Sequence, residues 1–232
     1  MPVVAIATLM VLMLQAVSAN GAALALVLAV DVSASVTADS YLLQHDGIAR
    51  AFVSPRLAEA ISATPGGIEV LVLEWSDPDK SAVTVNWTRI SDAPTAGGFA
   101  AAVRATSRSS AGITAIGPAL LAAAATFDHL PEPSGIRMID ISGDGIANFG
   151  LPPAVARDRV VARGITINGL AILIDEPGLA HYYRTNVIGG PSAFVGVART
   201  FEDFAGAMLR KLVQELADAS IADASIRSVQ IQ

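Results

Sequence analysis

The 232-residue sequence contains no cysteine, which excludes disulfide bonds, thiolate catalysis, zinc–thiolate centres and a lipid anchor on cysteine. It is also poor in charge, because 16% of the residues are charged whereas 53% are hydrophobic. This composition is typical of a folded chain with a substantial core, and the length suits one domain. The net charge of -6 and the lack of a Lys/Arg cluster argue against a nucleic-acid partner.

The N-terminus lacks Lys and Arg but carries an apolar run. Residues 2–17 are almost wholly apolar, and small and polar residues follow them. We interpret residues 1–19 as a signal peptide cleaved after Ala19, so that the protein is exported to the periplasm or secreted. The alternative is an uncleaved anchor, for which the run is short beside the roughly 20 residues of a membrane span. No membrane span is expected after cleavage.

The most informative stretch is an apolar run that ends in polar residues. Residues 24–30 predict a buried strand, and Asp31, Ser33 and Ser35 follow it at alternate positions. Alternate side chains of an extended turn point the same way, so the three oxygens can converge. Oxygen-only ligands suit a hard cation such as Mg2+. The alternative is a strand that simply ends in a serine-rich turn.

The rest of the chain alternates between strand and helix patterns. Strands are predicted at residues 68–75, 81–88, 136–141, 165–173 and 193–197, and helices at 37–52, 97–106, 118–127, 152–163, 179–184 and 201–216. We therefore expect a three-layer, doubly wound α/β fold whose mostly parallel sheet has one antiparallel edge strand. Residues 217–232 contain a short repeat and are interpreted as a frayed helix end or a flexible tail.

Two further polar residues lie in predicted loops. Thr114 precedes a helix, where an N-cap is the simpler interpretation. Asp144 lies between Gly143 and Gly145, which permit a sharp turn that exposes the carboxylate, and a plain turn aspartate is the alternative. Asp31 and Asp144 both follow buried strands, and ligands of doubly wound sheets bind beyond the carboxyl ends of the strands. We therefore expect both acids at the same edge of the sheet.

Taken together, these polar residues resemble the metal-ion-dependent adhesion site (MIDAS) of von Willebrand factor A domains. The residues in question are Asp31, Ser33, Ser35, Thr114 and Asp144. The order of strands and helices over residues 24–216 resembles the same fold. More narrowly, the segments 137–145, 166–172, 182–184 and 187–191 resemble an uncharacterised family of exported bacterial A-type domains.

The resemblance implies a role for each residue. Ser33 and Ser35 would bind Mg2+, or alternatively Mn2+ or Ca2+, directly through their hydroxyls. Thr114 would bind the ion directly or through water, and Asp31 and Asp144 would act through bound water or hydrogen bonds. The open position of the ion would accept a carboxylate from an Asp or Glu of a partner protein.

The chain departs from that pattern at one residue, and a second residue raises a question. Gly143 stands where the resembling domains usually carry a hydroxyl residue before the second aspartate. Asp140 falls inside a predicted central strand, where an unpaired acid is costly. One hypothesis is that Asp140 is hydrogen-bonded near the site and shapes the turn at Asp144. The other is that it pairs with an arginine and belongs to the scaffold.

Three functions are compatible with the sequence. The first is an exported adhesion or binding module that engages a partner carboxylate through a divalent cation. The second is a metal-assisted hydrolase, against which the scattered His45, His129 and His181 offer no recognisable general base. The third is a metal-free A-type scaffold. Tyr182 and Tyr183 either contribute to a binding rim or pack in the interior.

Overall fold

The computed structural model of the protein describes residues 21–132 and 134–230, with side chains as far as Ala222. The signal peptide predicted at residues 1–19 lies outside the described residues. Within them, no helix is both long enough and apolar enough to cross a membrane.

Six strands form one sheet. They are β1 (Leu24–Asp31), β2 (Ile68–Trp75), β3 (Ser81–Ile90), β4 (Ile136–Gly143), β5 (Ile165–Ile172) and β6 (Val195–Ala198). Their order across the sheet is β3-β2-β1-β4-β5-β6. All neighbours are parallel except β3, which pairs antiparallel with β2 at one edge. The predicted fold class is therefore confirmed.

Seven α-helices flank the sheet in the described part of the chain. They are α1 (Ala38–Phe52), α2 (Pro55–Ser62), α3 (Ala93–Arg104), α4 (Ile116–Thr126), α5 (Pro153–Ala162), α6 (Leu179–Asn186) and α7 (Phe204–Gln230), and a 3-10 turn, Phe127–His129, extends α4. Thr37 caps α1, since its side chain accepts a hydrogen bond from the Ser40 amide at 3.1 Å. Helix α2 was not predicted, because only Leu57 and Ile61 mark its buried side.

The sheet separates two apolar cores. Strand β1 shows this directly: Leu24, Leu26 and Leu28 face one core, and Ala25 and Val27 face the other. The first core includes residues of α1, α3 and α7, and the second includes residues of α4, α5 and α6. Because both faces are covered, every residue of β1 is buried, which explains why the strand reads as a continuous apolar run.

Helix α7 is longer than the sequence indicated. The predicted helix ends at residue 216, but α7 continues without a break through the repeat to Gln230. Leu216 and Ala219 are both buried in the first core, so the apolar side of the helix extends past the predicted end. The tail is therefore helical through Gln230, as a continuation of α7.

The strand order fixes where polar residues can converge. Strand β1 lies between β2 and β4. The chain leaves β1 for α1, on the face of the first core, whereas it leaves β4 for α5, on the face of the second core. The loops that leave the carboxyl ends of β1 and β4 therefore diverge and open a crevice, which is the usual ligand position in this topology. Asp31 ends β1, and Asp144 immediately follows β4.

Candidate metal site

The five residues predicted from the sequence lie together beyond the carboxyl ends of β1 and β4. The Ser33 amide donates to Asp31 Oδ1 at 2.7 Å, and the Ser33 and Ser35 hydroxyl oxygens are 3.3 Å apart. The Ser35 hydroxyl donates to Asp144 Oδ1 at 2.8 Å, and the Thr114 hydroxyl donates to Ser33 Oγ at 3.4 Å. Three separate loops thus bring two carboxylates and three hydroxyls into one connected group.

Arg108 holds the loop that carries the serines. Its Nη2 donates to the carbonyls of Val32 and Ser33, each at 2.7 Å, and its Nε donates to the carbonyl of Ser110 at 2.9 Å. Gln44, on α1, donates from its side-chain Nε2 to the carbonyl of Asp31 at 3.2 Å. These contacts satisfy backbone carbonyls of the loop that carries the serines and hold that loop in place.

Thr114 does not cap the helix that follows it. Helix α4 begins at Ile116, and its N-cap residue is Ala115, which makes no side-chain capping bond. Instead, the Thr114 amide donates to Asn148 Oδ1 at 3.0 Å, and the Asn148 amide donates to the Thr114 carbonyl at 3.0 Å. This pair of bonds joins the loop before α4 to the loop after β4, and the hydroxyl of Thr114 is left facing Ser33.

Burial dominates the electrostatics of the two acids. It raises the pKa of Asp31 to about 7, against the hydrogen bonds from Ser33 that lower it. It also raises the pKa of Asp144, against the hydrogen bond from Ser35. Two carboxylates are thus removed from water, and the positive charge of Arg108 offsets little of the cost at Asp31.

These donors fit a hard divalent cation. Among residues 21–132 and 134–230, no three His, Cys, Asp or Glu side chains are grouped so as to hold a metal ion, so the two carboxylates would act with the three hydroxyls. Asp31 Oδ2 is buried and has no hydrogen-bond partner within the described chain. A set of oxygens that includes two buried carboxylates suits Mg2+, which takes one or two carboxylates and keeps several waters.

Ser35 is the exposed member of the group. Asp31, Ser33, Thr114 and Asp144 are all buried, whereas Ser35 faces solvent. The site is therefore buried on the side of the sheet and exposed to solvent on the side that carries Ser35, so a ligand can reach it from outside.

Asp140 belongs to a different cluster. Its Oδ1 lies 2.8 Å from Lys211 Nζ of α7, and Lys211 also contacts Glu215, which accepts a hydrogen bond from Asn168 Nδ2 at 2.8 Å. The predicted arginine partner was wrong, since the cation is a lysine. No hydrogen bond joins Asp140 to the five candidate residues in the described structure, so its contacts are those of a scaffold residue.

The histidines lie apart from the candidate group. His45 is buried in α1, with Nε2 3.0 Å from Glu74 Oε1 and Nδ1 3.0 Å from the Tyr41 carbonyl oxygen. His129 and His181 are exposed. The two tyrosines differ: Tyr183 is fully buried, whereas Tyr182 is partly exposed and accepts a hydrogen bond from the Ala147 amide at 3.3 Å.

Sequence reasoning missed three residues of the site region, namely Arg108, Asn148 and Gln44. Each acts on backbone atoms of another segment, and such contacts leave no local pattern. A signal existed for Arg108 alone, because a single arginine in the Ser-rich loop 107–112 before Thr114 is a ready donor to carbonyls of a neighbouring turn.

Solved structures with the same fold include proteins from animals and bacteria. Proximal thread matrix protein 1 (PTMP1) from the mussel byssus superposes with a TM-score of 0.64 at 16% identity, covering 85% of this chain and 48% of that chain. A PTMP1 structure with a zinc-occupied MIDAS motif gives 0.60 at 14% identity and the same coverage. The present chain thus spans about half the length of PTMP1.

Two bacterial structures are similar to the same extent. The pilus adhesin SpaC from Lactobacillus rhamnosus GG gives a TM-score of 0.60 at 15% identity, covering 84% of this chain and 30% of that chain. A von Willebrand factor type A protein from Catenulispora acidiphila gives 0.56 at 16% identity, covering 84% and 42%. At these identities the likeness concerns the fold, which is that of von Willebrand factor A domains.

Sequence comparison adds the family. No match was found among curated proteins. A family model does match residues 21–220, which is most of the chain and includes the whole sheet and all five candidate residues. The chain therefore belongs to the family described as "Protein of unknown function (DUF1194)".

Proposed function

We propose that the protein is an exported binding module that holds a divalent cation and engages a carboxylate of a partner protein through it. The cation would be Mg2+, or alternatively Mn2+ or Ca2+. Ser33, Ser35 and Thr114 would hold it through their hydroxyls, and Asp31 and Asp144 would act through bound water or hydrogen bonds. The observation that carries this proposal is the hydrogen-bonded convergence of five oxygen side chains from three loops at one sheet edge.

The chemistry of the donors supports a role in capture. Ser33, Ser35 and Thr114 contribute neutral hydroxyls, so an ion held mainly by them would keep much of its charge available to an incoming carboxylate. Asp31 and Asp144 stay behind this layer as hydrogen-bond acceptors and supply the compensating negative charge. The opening at the exposed Ser35 gives a partner side chain its route to the site.

The names of the structural neighbours support an adhesive role outside the cell. They include a pilus adhesin and a matrix protein of the mussel byssus, one form of which has a zinc-occupied MIDAS motif. Together with the apolar N-terminal run, they favour export to the periplasm or secretion, with no membrane span left after cleavage of residues 1–19.

We propose binding rather than catalysis. The three histidines are not placed to act as a general base beside the five residues, since His45 is held by Glu74 and Tyr41 and the other two are exposed. Hydrolysis of ester or phosphate substrates by the purified protein, abolished in Asp144→Ala, would contradict this proposal and favour the metal-assisted hydrolase.

The test is capture of envelope proteins on the immobilised domain. In Mg2+ we expect the wild type to retain a partner that EDTA releases, and the Ser33→Ala/Ser35→Ala variant to retain none. Blocking Asp and Glu side chains of the extract with carbodiimide and ethanolamine should abolish capture. Ser62→Ala, which removes an exposed serine hydroxyl from α2, is the matched control and should behave as the wild type. Retention of the same partner in EDTA would contradict the proposal.

A further inference from the structure

Two buried polar atoms next to the candidate site have no hydrogen-bond partner within the described residues. One is Asp31 Oδ2, and the other is the hydroxyl of Tyr183. Both side chains are fully buried, so water does not replace the missing bonds at the protein surface. A buried polar group without a partner costs free energy, which calls for a reason at each such atom.

The two atoms face the same point. A Cβ atom on Gly143 would lie 2.7 Å from Asp31 Oδ2 and 2.8 Å from the Tyr183 hydroxyl oxygen. The two oxygens come from different elements, β1 and α6, and both lie beside the glycine that precedes Asp144. Any side chain at position 143 would separate them, so the glycine is what allows the approach.

A second glycine makes room for the tyrosine ring. Gly169 of β5 would place a Cβ atom 2.6 Å from Tyr183 Cδ1. Glycines on the neighbouring strands β4 and β5 thus form a slot that seats the ring against the sheet and points its hydroxyl at the carboxyl end of β1. This is a built position for one aromatic hydroxyl beside Asp31, and it accounts for the departure at Gly143.

We propose that Tyr183 is a positioning residue for Asp31, whose hydroxyl donates to Asp31 Oδ2 when a divalent cation occupies the site. The inference rests on the proposed function. Asp31 Oδ1 already accepts from the Ser33 amide, so a donor on Oδ2 would fix the carboxylate at both oxygens. The ordinary pKa of a phenol is about 10, so Tyr183 carries the proton that it donates at neutral pH.

A purely structural tyrosine makes a different prediction. If the ring only packs, its hydroxyl contributes nothing, and Tyr183→Phe keeps the fold and the cation affinity alike. If the hydroxyl positions Asp31, Tyr183→Phe leaves the stability in EDTA close to that of the wild type, because the hydroxyl has no hydrogen-bond partner among the described residues, but it weakens cation binding.

The experiment is a calorimetric titration of the purified protein with Mn2+, together with thermal unfolding in EDTA. We expect Tyr183→Phe to raise the Kd for Mn2+ about tenfold, the lower end of what removing a partner of a metal ligand costs, with Tm in EDTA unchanged or higher. Tyr182→Phe removes the neighbouring hydroxyl of the same helix and should leave the Kd within about twofold of wild type.

The outcomes separate the two proposals. Equal Mn2+ affinity in the wild type and Tyr183→Phe overturns the positioning role and leaves the cation site standing. A wild type that binds no Mn2+ overturns the cation site, and the positioning role with it. A fall in affinity accompanied by a lower Tm in EDTA also overturns the positioning role, because the lower Tm reports damage to the fold.

Discussion

At the scale of single residues, Ser35 is the candidate ligand whose replacement best separates an effect on cation binding from an effect on folding stability. Its side chain is exposed, and its hydroxyl contacts Asp144 and Ser33. The other four candidate residues are buried, so their replacement disturbs packing as well as the site. A change at Ser35 therefore reports on cation binding with little effect on the core.

We expect Ser35→Ala to weaken Mg2+ binding by at least about tenfold while changing the free energy of unfolding in EDTA by less than about 0.5 kcal/mol. The physical reason is the loss of one direct oxygen ligand from an exposed position. Calorimetric titration and urea unfolding measure the two quantities, and Ser62→Ala is the control. Unchanged Mg2+ affinity would exclude Ser35 as a ligand.

The candidate ligands themselves could be predicted from the sequence, whereas the residues that hold them could not. Asp31 and Asp144 follow strongly apolar strands, so their place at the sheet edge followed from fold class alone. Arg108 lies in an irregular loop and Tyr183 on α6, and the sequence does not show which atoms of other segments either side chain approaches. Their roles depend on side-chain directions that only the packed structure gives.

At the scale of elements, one buried cluster joins α7 to the centre of the sheet. Lys211 lies between Asp140 of β4 and Glu215 of α7, and Glu215 is linked to Asn168 of β5. The lysine is therefore the cation that two buried carboxylates share. Removing one partner of a buried ion pair leaves an uncompensated charge, which is strongly destabilising.

We expect Lys211→Met to lower the free energy of unfolding at pH 8 by about 3–5 kcal/mol, because both carboxylates lose their cation. The loss should be smaller at pH 5, where the acids can take up protons. Urea unfolding at the two pH values measures this. A loss below about 1 kcal/mol at pH 8 would show that the cluster does not hold α7 to the sheet.

Asp140 receives its own test. We expect Asp140→Asn to lower stability while leaving the Mg2+ affinity of the folded protein unchanged, because its partner is Lys211 and not the candidate site. Calorimetric titration in native buffer and urea unfolding separate the two effects. Loss of Mg2+ affinity in a variant of wild-type stability would place Asp140 in the site after all.

The elements that the sequence missed have identifiable causes. Helix α2 has eight residues and two buried apolar side chains, which is too short a pattern to recognise. The helix predicted at residues 97–106 begins earlier, at Ala93, because Asp92 and Thr95 form a capping box there. Helix α7 continues past Leu216, and Ala219 packs in the core there. Because alanine is small and only weakly apolar, the apolar pattern beyond Leu216 is too weak to recognise in the sequence.

At the scale of the whole molecule, the buried acids make stability depend on pH. Burial raises the pKa of Glu215 to about 7 from its ordinary value of 4.5, against the charge of Lys211. A carboxyl whose pKa is higher in the folded state contributes stability that is full below the ordinary pKa and is lost as the pH rises through the folded value. For Glu215 this window lies between about pH 4.5 and pH 7.

We therefore expect Glu215→Gln to gain stability relative to wild type as the pH rises from 5 to 8, by on the order of 1–3 kcal/mol. Glutamine keeps the acceptor for Asn168 but cannot ionise. Urea unfolding of both proteins across this range gives the difference in free energy. Parallel curves would contradict a raised pKa at position 215.

The global architecture was the most predictable feature, because alternating strand and helix patterns restrict the topology to few solutions. The mostly parallel sheet and its antiparallel edge strand were predicted, whereas the strand order β3-β2-β1-β4-β5-β6 is known only from the structure. What the topology cannot specify is whether the crevice at the β1 and β4 ends holds an ion, since that depends on sub-ångström placement of hydroxyls.

The most direct test of the cation site is thermal unfolding with and without Mg2+ and Mn2+. A ligand that binds only the folded state stabilises it, so at about 100 times the Kd we expect the wild type to gain roughly 5–10 °C in Tm. The Ser33→Ala/Ser35→Ala variant should gain none. No shift in the wild type, or an equal shift in the variant, would contradict a cation held by Asp31, Ser33, Ser35, Thr114 and Asp144.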